Sequence, residues 1–196
     1  MYYSLFTTTF LYFYSIVMYS QNTALLHLTP VSNNENCVCV NIPNVANLGL
    51  ISSTGQSINL KCQIPENSGE AIITDTDSSL WLNYSSIVSS TDNKRSISAM
   101  ISSGTLPDGL SLKVSASEDH GNGDGKIGTA VSNAVSLSKY NQIVVDNIGS
   151  GYTDNGANKG HQIFFSLMYD PSLNDYKKLR SDINTSVTVS FTFTDI

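Results

Sequence analysis

The sequence predicts an all-β fold, a single antiparallel β-sandwich, and three observations carry that prediction. The first is the closing stretch from Thr185 to Ile196, in which Val187, Val189, Phe191 and Phe193 alternate with Thr188, Ser190, Thr192 and Thr194. Side chains of an extended chain point to opposite faces in turn, so this period fits a strand with one apolar side and fits no helix. That side needs a second layer to cover it. The second is punctuation: S-S-T-G at 52–55, P-E-N-S-G at 65–69 and L-P-D-G at 106–109 divide short apolar runs at the interval a sandwich needs. The third is composition. Charged residues are only 13% while Ser, Thr, Asn and Gly abound, the balance of an exported β protein kept soluble by hydroxyls and amides.

Taken in order, residues 1–20 contain no charged side chain and are dense in Phe, Tyr, Leu, Ile and Val, the pattern of a secretory signal segment with cleavage after Ser20. An uncleaved membrane anchor is the alternative, since twenty such residues just span a bilayer. Residues 21–36 read as an N-terminal extension and residues 37–196 as the sandwich domain, enough chain for one core. Cys37 and Cys39 share a face of an expected strand, and either can meet Cys62 in an oxidising compartment. A bridge closing that loop would contribute about 3 kcal/mol by the loop-entropy argument. A zinc site is the alternative, but the fourth ligand and its spacing are missing. Over 57–64, Ile58, Leu60, Cys62 and Ile64 alternate, which places Cys62 toward the core of a further strand.

Strands are expected at Leu80–Tyr84, Arg95–Ile101 with Ile97, Ala99 and Ile101 inward, and Leu110–Ala116 with Leu110, Leu112, Val114 and Ala116 inward. Pro107 and Gly109 suit a type I turn between the last two. Further strands follow at Ala130–Leu137, Gln142–Val145 and Gln162–Tyr169, the last apolar on both sides and therefore central. Ser172–Arg180 reads as a short helical turn before the final strand.

Functional signals are sparser. A formal net charge of -6 argues against phosphate-backbone binding, which depends on clustered Lys and Arg, so nucleic acid is not an expected partner. Trp81, the single tryptophan, is either a stacking platform for a sugar ring or core packing, and core packing is the usual fate of a lone strand tryptophan. The run S-E-D-H-G-N-G-D-G-K-I-G after Ala116 matches the middle of a calcium loop, with Asp119, Asn122 and Asp124 as its ligands. The match fails at the ends, where His120 and Val131 stand in place of carboxylates, and a Gly-rich hairpin explains the same residues. The Gly- and Asn-rich segment 148–161 is long for a plain connection, and Tyr152, Asp154, Asn155, Asn158 and His161 supply the aromatic and amide groups suited to a glycan. Catalytic signatures are missing: His27, His120 and His161 are scattered, and neither G-x-S-x-G nor H-E-x-x-H occurs, so no enzyme and no cofactor beyond the calcium option are expected.

The segments Leu80–Tyr84, Gly149–His161 and Ser186–Asp195, with the early cysteines, resemble the immunoglobulin-like, pilin-like sandwiches of spore coat protein U and of chaperone-usher fimbrial subunits, and uncharacterised secreted proteins of Gram-negative bacteria. The resemblance implies an early cysteine paired with one some twenty residues on, as Cys37 or Cys39 with Cys62. It also implies polymerisation by strand donation, with Thr23-Ala-Leu-Leu-His-Leu-Thr29 as the donor. Two functions are expected from this reading. One is an extracellular or cell-surface structural or adhesive subunit that assembles with itself or another surface protein. The other is a monomeric carbohydrate-binding module. Both lie outside the cytoplasm, in the periplasm or on the outer-membrane exterior, with the membrane engaged only through the signal segment.

Overall fold

Two antiparallel β-sheets face each other across an apolar core in the computed structural model, which describes residues 39–54, 57–72, 74–91, 94–169, 176–181 and 184–196. The chain divides into Met1–Pro43 and Asn44–Ile196. Of the first unit only residues 39–43 are described, an exposed stretch without regular structure, so Cys39 is not on a strand. The signal segment, the extension with residues 23–29, and Cys37 lie outside the described residues.

The second unit carries eleven strands among its described residues: β1 (Val45–Ser52), β2 (Thr76–Ile87), β3 (Arg95–Ser103), β4 (Leu110–Asp119), β5 (Asp124–Gly125), β6 (Thr129–Ala130), β7 (Val135–Ser136), β8 (Gln142–Ile148), β9 (Gly151–Tyr152), β10 (His161–Tyr169) and β11 (Thr188–Asp195). One sheet runs β5-β9-β2-β10-β4-β7 with β1 added along β2, and the other runs β11-β3-β8-β6. Alternation explains the core. Leu82 and Tyr84 of β2, Ile97 and Ala99 of β3, Leu112 and Val114 of β4, Val145 and Ile148 of β8, and Ile163 and Phe165 of β10 are all buried between the sheets. β10 pairs β2 on one side and β4 on the other, the central place its two apolar faces foretell. β11 lies antiparallel to β3 with Phe191 opposite Ala99, and Val189, Phe191 and Phe193, with Val187 just before the strand, pack half-buried against the core.

Four expectations are corrected. Residues 57–64 form no strand: Ile58 and Leu60 pack against the core, then the chain leaves the surface, and Cys62 and Ile64 are exposed. Cys39 and Cys62 are both free, so the expected bridge to Cys62 is not made by Cys39 in this structure. The run 130–137 splits at a bend over Ser132 and Asn133, sending β6 to one sheet and β7 to the other. The turn before β4 closes one residue later than expected. The Leu110 N–H donates to the Pro107 carbonyl (3.2 Å), and Gly109 at φ 87° takes the third position, which only a residue tolerant of positive φ occupies cheaply. Of the expected 172–180 turn, the described part is a 3₁₀ turn at Tyr176–Lys178. No helix among the described residues is long and apolar enough to cross a membrane.

Candidate functional site

The two Gly-rich segments fold onto each other, and this accounts for their composition. β5 pairs β9, which pairs β2 at Ser85 and Ser86. A Cβ on Gly121 would stand 1.8 Å from the Thr153 carbonyl oxygen, and one on Gly123 would stand 1.7 Å from that of Tyr152. Backbone therefore touches backbone where any side chain would intrude. The glycines of the G-N-G-D-G pattern thus serve this close backbone packing. Asp124 is exposed and its Oδ1 accepts the Gly125 N–H (2.7 Å), the Asn122 N–H turns to the Asp154 carboxylate, and Asp119 Oδ1 is buried with no hydrogen-bond partner. Asp119, Asn122 and Asp124 thus face different neighbours. Among the described residues no group of three or more His, Cys, Asp or Glu stands close enough to hold a metal ion.

The segment 153–160 is anchored rather than loose. Thr153 is fully buried, and its hydroxyl accepts the Tyr84 N–H (3.0 Å). The buried Asn83 holds the loop at two points, with Nδ2 donating to the Lys159 carbonyl (2.6 Å) and Oδ1 accepting the Gly156 N–H (3.1 Å). Asp154 and Asn158 adopt left-handed backbone, φ 75° and 64°. The Asn155 N–H (2.9 Å) and the Lys159 ammonium (3.2 Å) hold the Asp154 carboxyl below its ordinary range, so it is an anion at neutral pH.

This anchoring brings together Tyr152, Asp154 and Asn155, three of the five loop residues the sequence singles out. They line a cleft of about 360 Å³ with Asn47 and Gly49 of β1 and Ser85 of β2. Asn158 is exposed outside the lining, and His161 is fully buried elsewhere. His161 is structural. Its Nδ1 donates to the Ser117 carbonyl (2.7 Å), its Nε2 meets the Tyr84 hydroxyl (3.0 Å), and its ring stacks on Tyr84 at 9°. Burial, the largest effect, lowers its affinity for a proton, against the opposing pull of the Ser117 carbonyl, Asp119 and Glu118. Burial pushes the Tyr84 phenol far above its ordinary value, and Asp119 and Glu118 add to the shift. Trp81 is also buried, in a T-shaped contact with His120 (5.5 Å between ring centres), so it is packing and not a sugar platform.

A second concavity, about 1160 Å³ and mostly apolar, opens between the sheets at the far end of β11. Its lining includes Leu80, Leu112 and Leu167 of one sheet, Val189 of the other, and Ile58, Leu60 and Val187 from the connections, with Phe165 and Phe191 meeting edge to face at its floor. The strands bordering it, β1 and β11, each pair on one side only among the described residues. At the opposite end the same two strands are tied together by Arg95, only 4% exposed. Its guanidinium donates to Asp195 (2.5 Å), to Asn44 Oδ1 (2.6 Å), to Ser86 Oγ (3.2 Å) and to the Val45 carbonyl, and it lies 5.6 Å from the centre of the Phe193 ring.

Sequence reasoning does not reach Asn47, Ser85 or Arg95. The polar run Asn83-Tyr-Ser-Ser86 within a strand is the one signal that could flag the cleft wall, since a sheet interior rarely carries four such residues without partners to satisfy. Comparison with protein-family models, curated proteins and solved structures finds no match to this chain.

Proposed function

We propose that this protein is an exported structural or adhesive subunit of the extracellular space or cell surface, of the fimbria-like type, and not an enzyme. The observation that carries the reading is the apolar groove beside β11, lined also by Leu50 of β1 and by Ile58 and Leu60, with β1 and β11 each pairing on one side only among the described residues. An extended segment meets both needs at once: its backbone adds to a sheet edge and its alternate side chains fill the groove. The proposed occupant is Thr23–Thr29 of a second copy, whose Leu25, Leu26 and Leu28 supply apolar side chains and whose seven residues extend over about 23 Å. The reading needs no cofactor. Sedimentation of the full chain tests it: concentration-dependent oligomers are expected, and a variant lacking residues 23–29 should remain monomeric. A wild-type chain that stays monomeric at high concentration contradicts assembly. The second reading, a surface module for carbohydrate, is favoured by the cleft at β1 and β9.

A further inference from the structure

From the cleft between β1, β2 and β9 we infer a binding site for a neutral glycan, separate from the groove and independent of assembly. Its volume, about 360 Å³, sits at the small end of ligand pockets of roughly 300–1,000 Å³ and admits a mono- or disaccharide. Three features select the chemistry. The Tyr152 ring is 50% exposed on a short strand fixed by pairing to both β2 and β5, so it offers a rigid apolar face to the C–H side of a pyranose. The Asn47 and Asn155 amides and the Ser85 hydroxyl make no side-chain hydrogen bond with other described residues, and together they present both donors and acceptors at the cleft wall. The ionised Asp154 carboxylate adds an acceptor for sugar hydroxyls, its charge balanced by Lys159.

Preorganisation is the second part of the case. Asn83 holds the loop at Gly156 and Lys159, Thr153 is pinned to Tyr84, and Asp154 keeps a left-handed backbone. A ligand then meets groups already in place and loses little affinity to ordering them. Backbone in sparsely populated regions, over-determined by its surroundings, is characteristic of ligand clamps. Competing ligand classes fit less well. A phosphate or a nucleic acid would face Asp154 with Lys159 as the one lining-loop cation already engaged, and a lipid tail would meet amides and a carboxylate.

The test is a heteronuclear NMR titration of the full chain with methyl β-glucoside, methyl β-galactoside, methyl α-mannoside and N-acetylglucosamine up to tens of millimolar, beside an array of neutral oligosaccharides. Saturable shifts at Asn47, Ser85, Tyr152 and Asn155 are expected with at least one sugar. Tyr152→Ala should weaken that binding at least tenfold. Asn47→Ala and Asn155→Ala, which remove exposed amides without internal partners, should each weaken it several-fold and leave the remaining spectrum in place, whatever Tyr152→Ala does to the fold. The variant lacking residues 23–29 should bind as the full chain does, so loss of assembly and loss of glycan binding are read separately. No saturable shift and no array signal, shifts mapping outside the cleft, or binding undiminished in Asn47→Ala and Asn155→Ala would each overturn the assignment.

Discussion

The two ends of β11 are built in opposite ways. At Asp195 the strand is bound to β1 and β2 through one buried guanidinium, and nearby Tyr84 and His161 stack and hydrogen-bond inside the core. At Val189 the same strand borders an apolar groove lined also by Leu112 and Leu167, while its Phe191 ring meets Phe165 edge to face at 6.5 Å. Apolar walls gain by meeting. Hydrogen bonds have fixed directions, so the Arg95 guanidinium ties β1 and β11 together at one end, and the groove lies at the other. The lesson is that one strand can be held by direction-specific polar contacts at one end and border an apolar groove at the other.

The largest effect that sharpens the comparison is in the closed wall. Phe165, 4% exposed, should cost about 3–5 kcal/mol when replaced by Ala, from lost transfer energy and a residual cavity. Phe191 touches Phe165 edge-on at 6.5 Å but is only half-buried, so Phe191→Ala should cost about half as much, roughly 1.5–2.5 kcal/mol. Denaturant titration of both variants checks the ratio; equal costs would mean the groove is closed in solution.

The polar end makes a pH prediction of smaller size. Burial lowers the His161 proton affinity in the fold, whereas the unfolded imidazole titrates at its ordinary value of about 6.5. The unfolded chain therefore binds the proton more readily. Stability is fully present above about pH 6.5 and is lost as pH falls from there toward the lower folded value. Melting temperature should decline over that window in the wild type, and His161→Gln should flatten the decline. A melting temperature that rises on acidification through this window would refute the sign. The smallest effect is expected at Cys62, exposed where a core position is foreseen: Cys62→Ser should change stability by less than about 0.5 kcal/mol.

Much of the fold is legible in the sequence because β2, β3, β4, β10 and β11 obey a local rule. Ile97-Ser-Ala-Met-Ile101 and Val187-to-Phe193 alternate, and alternation needs no knowledge of the partner strand. What escapes prediction depends on contacts far along the chain. Ile58-to-Ile64 alternates as well as a strand does, yet among the described residues it makes only an isolated bridge at Gln63, while β1 and β10 take the two sides of β2. Arg95 reads as a solvated charge until Asn44, Ser86 and Asp195 converge on it from three strands or their ends. His161 sits in a polar loop pattern and reads as a ligand group, but β10 begins there and turns the ring inward against Tyr84. The cleft is half legible for the same reason. Tyr152, Asp154 and Asn155 stand out as a cluster in sequence, while Asn47 and Ser85 reach them only through pairing of β1 and β9 with β2.

The central claim, that the groove beside β11 is a seat for an extended segment, is tested most directly by adding a synthetic peptide of residues 23–29 to the variant lacking them. The account predicts saturable binding, with shifts confined to Leu112, Phe165, Val189 and Phe191 and slowed hydrogen exchange of β11 amides, and predicts that Val187→Glu, which places a charge in the groove wall, abolishes both. Absence of binding at millimolar peptide, or binding that Val187→Glu leaves intact, would contradict it.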